Sequence, residues 1–158
     1  MLVERSVLLA CSPQQCFAEV QTPRLMLHIA SPLVRFMPIE PQTLPERWEQ
    51  KEYLFSVRLF GFLPMGRQWV NLSARDRSNE SGRFYMELRD NGRGTLMSKW
   101  DHRLTIQTSG QGCHYTDRVE VKAGILTPLV WLFAWFFYRH RQRRWQRLAA
   151  NSFAYRQP

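Results

Sequence analysis

The sequence predicts an α+β fold in which an antiparallel meander is followed by one long C-terminal helix. Three observations predict it. Apolar residues alternate with a period of two through most of the chain from Glu49 to Lys122. Two Ser/Thr-Pro pairs, Ser12-Pro13 and Thr22-Pro23, mark short helices directly after a first apolar run. From Leu126 to Ala150 nothing interrupts a helix whose first turn carries Thr127-Pro128.

Each element follows in order. Residues 2–10 form a short apolar strand. Ser12 caps a helix whose buried stripe is Cys16, Phe17 and Val20, and Thr22 caps a second through Leu25, Met26 and Ile29. Pro32, Pro38, Pro41 and Pro45 then exclude a continuous helix. Alternation of Tyr53, Phe55, Val57 and Leu59 with Leu54, Ser56 and Arg58 marks the first strand of the meander, and Gly61–Gly66 reads as a turn with an apolar tip. Further strands are expected at Arg67–Arg75, Arg83–Arg89, Met97–Gln107 and Cys113–Lys122. Turn chemistry separates them at residues 78–82, at Asp90-Asn91-Gly92 and at residues 109–112. Sequential strands with such short links pair antiparallel.

With 158 residues, of which 44% are hydrophobic and 22% charged, the chain fits one domain spanning 1–158 with a real core. The formal charge of +9 is unevenly placed. Residues 121–158 hold seven of the 22 basic residues and none of the 13 acids. That concentration on one helix, without a recognition motif, argues against nucleic acid as a partner. Cys11, Cys16 and Cys113 lack metal spacing and read as free thiols of a reducing, cytoplasmic compartment. No motif implies a metal or a cofactor. The LLAC stretch before Cys11 is compatible with a lipoprotein-type cleavage, yet it reads more naturally as the first strand.

The element order and several stretches resemble the START-like superfamily, also called SRPBCC, polyketide cyclase-like or helix-grip proteins. The stretches are Ser12-Pro13…Phe17…Val20…Thr22-Pro23, Trp100-Asp101-His102, Tyr115-Thr116-Asp117-Arg118-Val119-Glu120, and Ala123-Gly124…Leu129…Phe133…Arg141…Arg144. The resemblance spans essentially the whole chain. It implies a curved sheet gripping the terminal helix, with a cavity between them for a hydrophobic small molecule or lipid. Because members range from carriers to cyclases and hydratases, the fold does not select a reaction.

Strand parity sorts the candidate ligand-binding residues. Trp100 and His102 share a face with Leu104 and Ile106, and Tyr115 and Asp117 share one with Cys113, Val119 and Val121. His102 and Asp117 thus project inward. They can act as an acid/base pair with Tyr115 assisting, satisfy each other as a buried hydrogen-bonded pair, or orient the polar end of a ligand. The last role is preferred, so no residue is assigned as catalytic. Phe55, Trp69 and Phe84 are expected to wall the cavity, together with Tyr53, Asn71 and Met86. Leu129, Leu132 and Phe136, with Ile125, are expected to face it from the helix.

The terminal helix is apolar on every side over Gly124–Tyr138, a stretch without charge. At 1.5 Å per residue this spans roughly 22 Å, short of a bilayer core of about 30 Å. Leu126, Val130, Phe133 and Phe137 therefore need a second partner, such as the two short helices or a homodimer mate. Five Arg follow within Arg139–Arg147. They are either a solvated helix end suited to the dipole or a peripheral membrane contact formed by Phe137 with Arg139, Arg141, Arg143, Arg144 and Arg147.

Overall fold

The structure, a computed structural model, describes residues 1–78, 84–110 and 112–155. Strand β1 (Leu2–Leu9) leads into helices α1 (Pro13–Val20) and α2 (Pro23–Ala30). Six further strands follow: β2 (Val34–Glu40), β3 (Glu52–Leu59), β4 (Leu63–Asp76), β5 (Tyr85–Gly94), β6 (Lys99–Ser109) and β7 (Gly112–Lys122). Helix α3 (Thr127–Ala150) closes the chain. The seven strands form one antiparallel sheet in the order β1-β7-β6-β5-β4-β3-β2, so the pair α1 and α2 carries the chain from one edge to the other.

Local chemistry explains the helix starts. The Ser12 hydroxyl accepts from the Gln15 backbone N–H, and the Gln15 side chain accepts from the Ser12 N–H, a reciprocal capping box. Thr22 accepts from the Leu25 N–H in the same position of α2. Both helices use their Pro in the first turn.

The segment whose prolines exclude a continuous helix forms strand β2, with Pro38 inside it. It is an edge strand, where a missing N–H costs no ladder bond inside the sheet. Asp90-Asn91-Gly92 is not a turn but part of β5, and the chain reverses instead at residues 95–98. Gly92 serves close approach here: a Cβ on it would stand 2.6 Å from the Trp69 carbonyl oxygen of β4. The Gly61–Gly66 turn is also shorter than expected, since β4 begins at Leu63. The expected turns at residues 78–82 and around Gln111, and the start of the expected strand at Arg83, fall wholly or partly outside the described residues.

Among the described residues, three buried clusters form the core. One surrounds Trp145 and Leu148 of α3 with Leu9, Cys16, Leu25, Ile29, Ile106 and Tyr115. A second joins Val3, Val119 and Val121 of the sheet to Ala134, Phe137 and Tyr138. The third, Tyr53, Phe55 and Val70, is covered by Trp48 and Leu44 of the loop between β2 and β3. Cys11, Cys16 and Cys113 are free thiols, the last two buried.

Candidate ligand-binding cavity

Helix α3 lies across the concave face of the sheet but contacts it unevenly. Its C-terminal part packs its inner face against α2, β1 and β7, with residues of α1 and β6 completing the cluster around Trp145. Its N-terminal part stands away from β3, β4 and β5, and a cavity of about 340 Å³ opens between them. That volume lies at the lower end of the range for small-molecule sites, about 300–1,000 Å³. Apolar side chains make most of its wall: Val34, Phe36, Val57 and Val70 on the sheet, and Phe133 and Phe137 on the helix. Its mouth is rimmed by Leu63, Leu96, Leu126 and Leu129, all exposed.

The stripe of α3 facing this space corrects one expectation. Leu126, Val130, Phe133 and Phe137 line the cavity, together with Leu129 at the rim. Leu132 and Phe136 point outward, and Ile125 is 95% exposed. Periodicity within the charge-free half could not choose between two equally apolar stripes. The choice is made further along, where Trp145, Leu148 and Ala149 are the apolar residues of an Arg-rich turn and sink into the core. Counting back from Trp145 by whole turns leads to Arg141, Tyr138, Ala134 and Val130. That phase was present in the sequence.

The other wall residues divide similarly. Trp100 and His102 line the cavity. Phe55 is buried, but beneath Trp48 and Phe36 rather than against open space. Tyr53 lies in the same covered cluster. Trp69 is on the outer face of β4, under the Arg93 guanidinium at 5.0 Å, with exposed Asn71 beside it in the same parity. Gln68 and Val70 face inward instead. Both faces of β4 mix polar and apolar residues, so alternation alone does not set its parity. Phe84 and Met86 belong to the solid core, where Phe84 meets Phe17 edge-on.

Beneath the cavity floor lies a buried polar network. His102 Nε2 is 2.8 Å from Asp117 Oδ1, and the Tyr115 hydroxyl donates to the same oxygen at 2.9 Å. Gln142 Nε2 donates to Asp117 Oδ2 at 3.1 Å and to the Arg5 carbonyl at 2.7 Å. Arg141 Nη2 donates to the Tyr115 hydroxyl at 3.1 Å, while its Nε stands 3.7 Å from Asp117 Oδ1. Neither Tyr115 nor Asp117 lines the cavity, and both Asp117 oxygens already accept protein donors. They hold His102 and Arg141 in place from behind.

Electrostatics follow from this arrangement. Burial works against the Asp117 anion, but Arg141 and then the His102 hydrogen bond outweigh it and hold the carboxyl below its usual range. Burial holds His102 below an ordinary histidine, with the Asp117 hydrogen bond opposing only in part. His102 is therefore neutral near pH 7, with its ring proton on Nε2 facing the carboxylate. Burial also opposes the Arg141 charge, but Tyr115 and Asp117 hold its pKa above that of free arginine.

Two residues of the inner end escaped the sequence reading. Asp90 sits directly across from His102 in the β5–β6 ladder and shares its face. Its Oδ1 accepts from the Asn71 N–H at 2.9 Å. Desolvation raises its pKa to about 7, although the Asn71 bond and Arg141 pull the other way. It was hidden in what looked like turn chemistry. Arg141 was hidden in an arginine cluster.

The membrane-contact residues also need correction. Phe137 is buried, Arg141 is the cation of the inner network, and Arg144 is tied to the His28 carbonyl at 3.0 Å. Arg139, Arg143 and Arg147 remain at least partly exposed. No helix among the described residues is long and apolar enough to cross a membrane. No cluster of three or more His, Cys, Asp or Glu suited to a metal occurs among the described residues.

A seven-stranded antiparallel sheet gripping a C-terminal helix over a cavity is the helix-grip fold. Solved structures agree. The chain is similar to a START superfamily protein from Mycobacterium smegmatis (TM-score 0.65, 13% identity, covering 96% of this chain and 98% of that one). It is likewise similar to a protein from Chromobacterium violaceum (TM-score 0.65, 10% identity, 94% and 96% covered) and one from Thermus thermophilus (TM-score 0.63, 7% identity, 96% and 99% covered). At such identities the likeness is one of fold. The chain belongs to the family described as a domain of unknown function, DUF8410, which matches residues 7–149. No curated protein sequence matches it.

Proposed function

We propose that this chain acts, as one domain, to bind a hydrophobic small molecule or lipid in the cavity between the sheet and α3. The observation that carries this reading is the cavity itself: apolar walls, a polar inner end and an apolar, exposed mouth. Each methylene transferred from water to such a wall contributes about 0.8 kcal/mol. The rim continues outward into Phe60 and Phe62 at the β3–β4 tip and Ile125 before α3, all strongly exposed. Arg139 and Arg143 border the adjoining groove with Phe60 and Phe136. Apolar side chains beside arginines suit loading from an anionic membrane surface, a role for a cytoplasmic protein that works peripherally at a bilayer.

Native mass spectrometry of gently purified protein should reveal a copurified apolar molecule. The variant Val130→Trp, which fills the cavity from α3, should lose it while remaining folded. A wild-type protein that takes up no apolar probe, such as a fluorescent fatty-chain dye, would end the proposal. Flotation with phosphatidylglycerol vesicles should carry the wild type and leave Phe62→Ser behind. Concentration-dependent light scattering that disappears in Phe62→Ser would instead assign the rim to a homodimer.

A further inference from the structure

The inner end of the cavity has a hydrogen-bonding inventory that its protein partners leave incomplete. Arg141 spends Nη2 on Tyr115, and among the described residues nothing accepts from its Nη1. Asp90 spends Oδ1 on the Asn71 N–H, and its Oδ2 receives no donor among the described residues. With its proton on Nε2, His102 presents Nδ1 as an acceptor that no described residue uses. All three side chains line the cavity. One donor and two acceptors thus face the same enclosed space.

Resting on the ligand-binding reading above, we infer that this end recognises an uncharged hydroxyl headgroup on an otherwise apolar ligand. Its oxygen accepts from Arg141 and its proton goes to Asp90 or His102. A hydroxyl both accepts and donates, so it completes the set without adding charge. A carboxylate does not fit. Asp117 already balances Arg141, and at neutral pH Asp90 is partly ionised, so a further buried anion would be uncompensated. An ammonium accepts nothing, and would face the Arg141 cation. The groups facing this end are Asp90 from β5, His102 from β6, Arg141 and Tyr138 from α3, and Gln68 from β4, with Asp117 of β7 behind them; Arg67 of β4, the other cation of the cavity lining, is exposed to solvent and therefore screened. Tyr138 stays un-ionised, since burial first and then Asp117 push its pKa well up against the pull of Arg141.

Four probes with one chain length separate the alternatives: 1-decanol, 1-methoxydecane, decanoate and decylamine, titrated into the wild-type protein by displacement of a fluorescent apolar probe. At about pH 8 decanol should bind most tightly, roughly ten-fold better than methoxydecane, which accepts but cannot donate. Decanoate should trail decanol by at least as much, and close the gap toward about pH 5 as Asp90 and the ligand take up protons. In Arg141→Met the decanol preference should vanish. Because that variant leaves Asp117 without its cation and can fail to fold, the wild-type ranking decides. Tightest binding of decanoate or decylamine at about pH 8, or equal binding of decanol and methoxydecane, overturns the inference while the ligand-binding reading stands. Displacement by none of the four overturns both.

Discussion

The two halves of α3 invert what their compositions lead one to expect. From Thr127 to Tyr138 the helix carries no charge and six aromatic rings, yet this half borders empty space. From Arg139 to Ala150 it is rich in arginine, yet this half sinks Trp145, Leu148 and Ala149 into a solid core. The difference lies in what stands opposite. Over the C-terminal half, Leu9 of β1, Cys16 and Val20 of α1 and Leu25 and Ile29 of α2 close on the helix. Over the N-terminal half the strands β3 to β5 turn away, and no described element fills the gap. Density of packing is thus a property of the surroundings, not of the helix that is packed.

That contrast can be broken from its solid end first. Trp145→Ala should cost about 3–5 kcal/mol in a denaturant titration, because its ring is fully enclosed and the neighbours cannot collapse into the void. A loss below about 1 kcal/mol would show that the two halves are equally loose. Next comes the junction between them. Asp117→Ala strands Arg141 in the interior without its anion and should cost about 3–5 kcal/mol, again by denaturant unfolding.

The third test sharpens the picture of the polar inner end. Asp90 keeps its proton up to about pH 7 in the folded chain but releases it near 3.8 when unfolded. Folding therefore takes up a proton between those values, and this group removes stability as pH rises from about 4 to about 7. Asp90→Asn keeps an oxygen for the Asn71 N–H and abolishes the titration. It should stabilise the protein by about 1–3 kcal/mol at about pH 8 and by much less at about pH 4. His102 works in the opposite direction: its lowered pKa removes stability as pH falls below 6.5, where the unfolded chain gains a proton. Both proteins share that contribution, so their difference in thermal midpoint across pH isolates Asp90. The smallest effect belongs to the rim. Leu129→Ser should change stability by no more than about 0.5 kcal/mol, since the side chain is already 65% exposed, while weakening uptake of apolar probes.

Part of the geometry of the candidate site was legible in the sequence. Alternation put Trp100 and His102 on one face and Tyr115 and Asp117 on the face beside it, and the β6–β7 ladder brings His102 and Asp117 within a hydrogen bond. Parity failed on β4, where Trp69 and Asn71 were by pattern as apt to face inward as Gln68 and Val70. Here a surface tryptophan is covered by an arginine, which no period of two can foretell. Asp90 was lost because Asp-Asn-Gly is turn chemistry until a neighbouring strand makes it a ladder.

What the sequence determined by itself are the features whose causes lie within a few residues: the Ser12 and Thr22 caps, the alternating faces of β6 and β7, and the length of α3. Those depend on φ/ψ preferences, capping oxygens and side-chain period, all written locally. Only the tertiary structure decided that Arg141 is a largely enclosed cation rather than one of a solvated cluster, that Asp90 stands beside His102, and that half of α3 faces a cavity. Burial depends on residues far away along the chain, and a charge cannot report its own surroundings.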